Sequence, residues 1–260
     1  MPVFSIVIAT HGRPQLLERA LKSLRANRFN SYEIIVVSDE SNADSFKVAA
    51  TYLGQNDSFI KRSGKPGPAL SRNAGMDVAR GEALLFLDDD DIFEPDYLEH
   101  AHRAFRAHPE WVTYTNYSVI EENRTDGSIG QRHEINLKGS DPDQILIRNF
   151  IPNHCVIYPR HVVGAHRQDP ALRSMEDWDF LLAIHSDARF VHADISGPVV
   201  FKDYVNQGTR RGTSADATGT QVIPDFLYIY RKWPAPTPEL RAARKALFAS
   251  VGIDFDEQWF

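Results

Sequence analysis

Cysteine is nearly absent. Cys155 stands alone in 260 residues, so no intrachain disulfide can form, and the chain suits a reducing compartment. Long apolar runs are missing as well. The longest, FSIVIA and ALLFL, fall far short of the roughly 20 residues that span a membrane as a helix. The N-terminus lacks a basic stretch, and its apolar run at residues 4–9 is too short for a secretory signal. Basic charge is not in excess: 29 Lys and Arg face 35 Asp and Glu, for a net charge of −6, which excludes the electrostatic footprint of a nucleic-acid binder. No repeat or low-complexity tract is present. What remains, 42% hydrophobic and 25% charged, is an ordinary globular composition that excludes a fibrous or mostly disordered chain. A chain of this length buries roughly three quarters of its unfolded surface and needs no disulfide or metal to hold its core. The expectation is a soluble cytoplasmic protein.

Strand and helix signals alternate in the first half. Residues 3–9 are a β-branched run, read as a buried strand. His11-Gly12-Arg13 breaks it, and Pro14 stands where a helix starts. Leu16, Leu17, Ala20, Leu21 and Leu24 recur at helical spacing. Residues 33–37 predict a second buried strand, followed by a helix to about residue 53. A weak strand at 59–60, a helix at 67–80 and a buried strand at 83–87 follow. This order argues for an α/β fold with a mostly parallel sheet covered by helices. The second half is less regular. It carries strand character at 111–120, a short helix at 141–148, a strand at 153–158 and a helix at 174–185. Short strands at 190–193 and 199–202, a Gly-, Thr- and Arg-rich loop at 206–220, and helices at 223–231 and 238–249 complete the chain. No linker interrupts it, so residues 1–260 read as one domain.

The sharpest feature is FLDDDDIFEPDYL. A buried strand runs into Asp88, Asp89, Asp90 and Asp91, and ligands of open α/β sheets bind beyond the carboxyl ends of strands. Neighbouring carboxylates repel by about a few kcal/mol per close pair at an effective dielectric near 20. A divalent cation relieves that repulsion, and oxygen ligands suit Mg²⁺ or Mn²⁺. Along an extended strand Asp88 and Asp90 share a face. A solvated turn leading into a helix at Pro95 is the competing reading. The position just past a buried strand favours the metal.

Four blocks occur in order over about residues 1–200: SIVIATHGRPQLLERAL, EIIVVSDES, GPALSRNAGMDVARGEALLFLDDDD and SMEDWDFLL. Together they resemble glycosyltransferase family 2. The resemblance implies a GT-A-like, Rossmann-like α/β fold with a mostly parallel central sheet and an elaborated C-terminal half. It divides the chain into a nucleotide-binding half at 1–92, an acceptor-side half at 93–220 and C-terminal helices at 221–260. It also implies an inverting hexosyl transfer from a nucleotide sugar, a UDP-sugar by preference, to a hydroxyl of a saccharide or lipid-linked glycan. Mn²⁺ or Mg²⁺ would assist.

The same resemblance distributes roles. Thr10, His11 and Arg13, in the loop after the first strand, would hold the nucleotide. Asp39 would accept the imide N–H of the base; Ser38 and Glu40 depart from the family's acid pair and Gly-Ser at that place. Arg72 would reach the nucleotide or its pyrophosphate, with Asn73 and Gly75 on the same helix. Asp88 and Asp90 would bind the metal, with Asp88 and Asp89 also on the donor side. The Asp of Glu176-Asp177 would be the catalytic base, with Glu176 beside it on the acceptor side. No histidine follows the last core strand, where many members carry a metal ligand; either Asp203 or Asn206 would substitute, or the metal would use fewer protein ligands. Arg210 and Arg211 are candidates to clamp the diphosphate, and His154 is a candidate acceptor contact.

On a helix over residues 174–185, Asp177 falls on the apolar face with Phe180, Leu181 and Ile184, and Asp179 falls opposite. Spacing alone leaves a second reading open, since Ser174 and Asp177 have capping-box spacing. The resemblance favours the base. Two rival functions stand beside it, a nucleotidyltransferase and a non-catalytic sugar- or cation-binding module. The first would show a glycine-rich phosphate loop where ATHGRP has one glycine. The second gives Arg72 and Asp177 no task. The segment at 240–248, with Arg241, Arg244 and Lys245 beside Leu240 and Leu247, reads as a packing helix with a basic face. A peripheral contact with the inner face of a membrane is its second reading.

Overall fold

The computed structural model describes residues 1–40, 43–172, 174–205, 223–256 and 259. The first half builds β1 (Phe4–Thr10), α1 (Pro14–Arg25), β2 (Tyr32–Ser38), α2 (Asp44–Tyr52), β3 (Ser58–Lys61), α3 (Pro68–Val78), β4 (Ala83–Phe86), β5 (Ile92–Phe93) and α4 (Tyr97–Ala107). The second builds β6 (Val112–Thr115), β7 (Tyr117–Glu122), β8 (Ile129–Ile135), β9 (Val156–Pro159), α5 (Arg160–Val163), α6 (Glu176–His185), β10 (Phe190–Ala193), β11 (Pro198–Asp203), α7 (Ile223–Lys232) and α8 (Pro238–Ala249).

The β-branched runs form the centre because both of their faces are covered. A seven-stranded sheet has the order β10-β6-β9-β4-β1-β2-β3, parallel except for β9, which runs against β4 and β6. Along β1 and β2 alternate residues enter opposite cores. Phe4, Ile6, Ile8, Ile34 and Val36 pack with Leu17, Leu21 and Leu24 of α1 and Leu98 and Phe105 of α4. Val7, Ile35 and Val37 pack with Met76 of α3 and Phe180, Leu181 and Ile184 of α6. A second, four-stranded sheet, β5-β11-β7-β8, lies beyond the carboxyl ends of β4 and β6.

Several expectations shift. The strand expected over 111–120 divides at Asn116, so β6 joins the large sheet and β7 the small one. Asn116 secures the division: its Nδ2 donates to Asp194 and its Oδ1 accepts from the Leu137 amide at 2.8 Å. The strand expected at 153–158 starts with a 3₁₀ turn, Asn153–Cys155, and the helix expected at 141–148 is a 3₁₀ turn, Pro142–Leu146. The exposed strand β8 carried no apolar alternation strong enough to be read. The loop at 206–220, with Asn206, Arg210 and Arg211, lies outside the described residues. Arg244 is not on a basic surface. It is fully buried, donating to the carbonyls of Leu146 and Trp233 with its guanidinium over the Tyr230 ring. Among the described residues no helix is long and apolar enough to cross a membrane.

Candidate active site

The acid run leaves β4 as a turn. The strand ends at Phe86, and the Asp91 amide donates to the Asp88 carbonyl at 3.1 Å. The strand alternation expected to pair Asp88 with Asp90 therefore does not apply; a turn closed from i to i+3 brings Asp88 and Asp91 together instead. His154, on the 3₁₀ turn before β9, completes a group in which one ligand atom from each of Asp88, Asp91 and His154 lies within 4.8 Å of the others. His154 is buried, its Nδ1 stands 3.5 Å from Asp91, and its Nε2 has no hydrogen-bond partner among the described residues. These residues line a cavity of about 300 Å³ with Asp90, Tyr117 and Lys202. Two carboxylates and an imidazole are a donor set that fits Mn²⁺ better than Mg²⁺, which prefers oxygen ligands throughout.

Asp89 and Asp90 face cations. Arg13 forks onto Asp89, its Nη1 reaches Asp90 at 3.1 Å, and the Thr10 hydroxyl donates to Asp89 at 2.7 Å. Arg124 donates to the same Asp90 oxygen at 2.8 Å. Gly12, with φ +62°, makes the left-handed turn that brings Arg13 back over the acids. Burial pushes the Asp89 carboxyl up to about 6 even with Arg13 beside it. Burial, Asp90 and Asp88 push Asp91 well up. For Asp88, Arg72 and His154 outweigh burial and hold the carboxyl below its ordinary value. Burial holds His154 down, in its neutral, metal-binding form.

Asp39 directly follows β2, and its carboxylate is enclosed. His11 Nδ1 pairs with Oδ1, while Oδ2 accepts from the Gly67 amide at 2.7 Å and from Ser71 and Arg62 at 3.3 Å. Next to it Glu40 is buried, with neither carboxylate oxygen hydrogen-bonded among the described residues. Asp39, Glu40, Lys61 and Arg62 line a cavity of about 520 Å³, and His11, Lys65, Gly67, Leu70 and Leu172 line another of about 540 Å³.

Arg72 does not stand open to a ligand. It is buried, with Nη2 donating to Asp88 and Nη1 to Glu176, each at 2.7 Å. Asn73 and Gln168 exchange two hydrogen bonds beside it. The structure thus brings Glu176 and Asp177 to the acid turn, joined through one guanidinium. Asp177 is half-buried; it accepts from the Trp178 amide at 2.8 Å and stands 3.5 Å from Asn149 Nδ2. Burial and Glu176 push its carboxyl up to about 7 against Arg72. The capping-box alternative is not what forms. The Ser174 hydroxyl and amide both donate to Asp225, and α6 is entered through Met175 in a left-handed conformation. Asp179, expected on the face opposite Asp177, is buried against Lys232 and Trp233, because α7 covers that side of α6. Asp203 closes β11 and accepts from the Val205 amide.

Sequence reading missed five contributors: Asp91 as the partner of Asp88, His154 beside these two acids rather than as an acceptor contact, Arg124 on Asp90, Arg62 on Asp39 and the burial of Glu40. The turn-favouring character of consecutive aspartates was the available signal for the first. The arginines lie far along the chain and left none.

A parallel α/β sheet with acidic, basic and imidazole groups gathered at its carboxyl end defines a nucleotide-type group-transfer fold. Residues 5–168 match Glycosyl transferase family 2, and the chain belongs to that family. It is 27% identical over 227 residues to an uncharacterized glycosyltransferase of Haemophilus influenzae, covering 86% of this chain and 76% of that one. Its fold superposes on residues 1–349 of Staphylococcus aureus TarS in complex with UDP-GlcNAc, at a TM-score of 0.70 and 19% identity over 98% of this chain and 74% of that one. It also superposes on the Pyrobaculum calidifontis mannosyltransferase PcManGT in complex with GDP-Man and Mn²⁺, at 0.63 and 13% over 99% and 71%. The fold is GT-A and the protein is a glycosyltransferase, which removes the nucleotidyltransferase and binding-module alternatives.

Proposed function

We propose that the chain is an inverting, metal-assisted glycosyltransferase that uses a nucleoside diphosphate sugar, a UDP-sugar by first choice, and a hydroxyl of a saccharide or lipid-linked glycan. The observation that carries this reading is the relation of Asp177 to the acid turn. A carboxylate poised near neutrality by burial and by Glu176 stands next to Glu176, which shares Arg72 with Asp88. A general base works best with a pKa near the working pH. Asp177 would take the acceptor's proton as its oxygen attacks the anomeric carbon opposite the diphosphate. Asp88, Asp91 and His154 would hold the divalent ion, with Asp90 lining the same cavity between Arg13 and Arg124. The ion would supply charge neutralisation for the departing diphosphate. Thr10, His11 and Arg13 form the donor-side wall. At Asp39 a uracil imide would take the place of His11 on Oδ1, since Oδ2 is already occupied by protein donors.

Transfer from a panel of UDP- and GDP-sugars with Mn²⁺ or EDTA tests the reading. A β-linked product from an α-linked donor, lost in EDTA, is the expected result; retention of configuration would overturn the inverting assignment. Asp177→Asn should lower kcat roughly 10²- to 10⁴-fold with little change in UDP affinity. Normal turnover by this variant would remove Asp177 as the base.

A further inference from the structure

Six carboxylates converge on this site, and the arginines divide them. Arg13 takes Asp89 and Asp90, Arg124 takes Asp90, and Arg72 takes one oxygen of Asp88 and one of Glu176. Among the described residues no arginine is hydrogen-bonded to Asp91 or Asp177, the two groups that face the proposed ion and the proposed acceptor. Arg72 is thus the one arginine described here whose hydrogen bonds reach both the acid turn after β4 and the first turn of α6.

We propose that Arg72 is a positioning residue that yokes Asp88 on the donor side to Glu176 on the acceptor side, so that one buried guanidinium sets the aim of the metal carboxylate and of the neighbouring Asp177 together. The proposal rests on the transferase reading above and goes beyond it, since a phosphate-binding arginine would need its Nη atoms free. Three features support it. Both Nη atoms donate at 2.7 Å to carboxylates from different elements, a geometry that a planar five-donor fork provides and a single ammonium does not. The arginine is itself held, since Gln168 accepts from Nη1 at 3.3 Å and Gln168 is pinned by Asn73. The turn it steadies is strained: Met175, just before Glu176, is the only non-glycine residue with positive φ among the described residues. Such a conformation persists only where surrounding contacts over-determine it. The Arg72–Glu176 pair supplies one of those contacts, and the Ser174–Asp225 bonds supply another.

The test compares Arg72→Gln, Arg72→Lys, Glu176→Ala and Glu176→Gln with the wild type. Mn²⁺ affinity is measured by EPR in the presence of UDP, and kcat and KM are measured at saturating Mn²⁺. Arg72→Gln should weaken Mn²⁺ binding and also lower kcat, each by roughly tenfold or more. Arg72→Lys keeps the charge and loses the fork, so it should show the same two losses to a smaller degree; it serves where Arg72→Gln folds poorly. Glu176→Ala should lower kcat while leaving Mn²⁺ affinity within about twofold, because it cuts only the acceptor-side arm. Glu176→Gln, which still accepts from Nη1, should recover most of that kcat. The yoke is overturned if both Arg72 variants lose Mn²⁺ affinity with kcat intact, or if Glu176→Ala turns over as wild type. A wild-type protein that binds UDP and Mn²⁺ but transfers no sugar sinks the transferase reading. Unchanged Mn²⁺ affinity in Arg72→Gln then still overturns the donor-side arm.

Discussion

Among the described residues Glu40 is a buried carboxylate without a hydrogen bond, and a buried polar group left unsatisfied costs on the order of 1–3 kcal/mol. Glu40→Gln should therefore raise the melting temperature by a few degrees, read by scanning calorimetry without nucleotide. A drop would mean that the carboxylate has a compensating partner in the folded protein. Asp179 is the opposite case. Its oxygens accept from Lys232 and Trp233 at 2.8 Å, so Asp179→Asn should cost about 1–3 kcal/mol in a urea titration while UDP affinity stays unchanged. The difference between these neighbours-in-kind was not legible in the sequence. Helical periodicity placed Asp177 and Asp179 on opposite faces, which is so, but it is blind to a later helix arriving to cover the second face. The identities in the motifs were legible; the partners were not, because Arg72–Glu176 and Arg13–Asp89 are separated by 104 and 76 residues.

Elements were legible where one rule decided them. The buried runs of β1, β2 and β4 and the apolar stripe of α1 were apparent because both sheet faces and one helix face are hydrophobic. Where tertiary contacts decide, as at Asn116 between β6 and β7, strand signals merged into one. The packing of α3 on β1 shows how closely these elements fit. A Cβ at Gly75 would lie 2.4 Å from Cγ1 of Val7, on a stiff β-branched side chain. Gly75→Ala should destabilise by roughly 1–3 kcal/mol or more, since the helix must move off the sheet. The same shift would carry Arg72, one turn away on α3, so Mn²⁺ affinity should fall in the folded fraction. Wild-type stability of Gly75→Ala in urea would show that α3 sits farther from β1 than described.

Across the whole molecule the site holds carboxylates at a cost to folding. Asp177 makes the point because its pKa is raised, to about 7, by burial and Glu176. A carboxyl whose folded pKa lies above its unfolded value, near 3.9, binds its proton more tightly when folded. Between those two values the folded state holds more protons than the unfolded one, so stability falls as pH rises through that window. Above about 7 the group is ionised in both states and the cost is present in full. Asparagine at this position has no proton to lose, so Asp177→Asn should gain on wild type as pH rises. The gain is on the order of 1.4 kcal/mol per pKa unit before relaxation reduces it. Urea unfolding of both proteins without metal at pH 5 and pH 8 measures the gap. It should widen in favour of Asp177→Asn at pH 8, in the same variant whose transfer rate has collapsed. A gap that is constant, or that narrows with pH, would mean that Asp177 is ionised throughout at little cost. Its carboxylate would then be too weak a base for an acceptor hydroxyl.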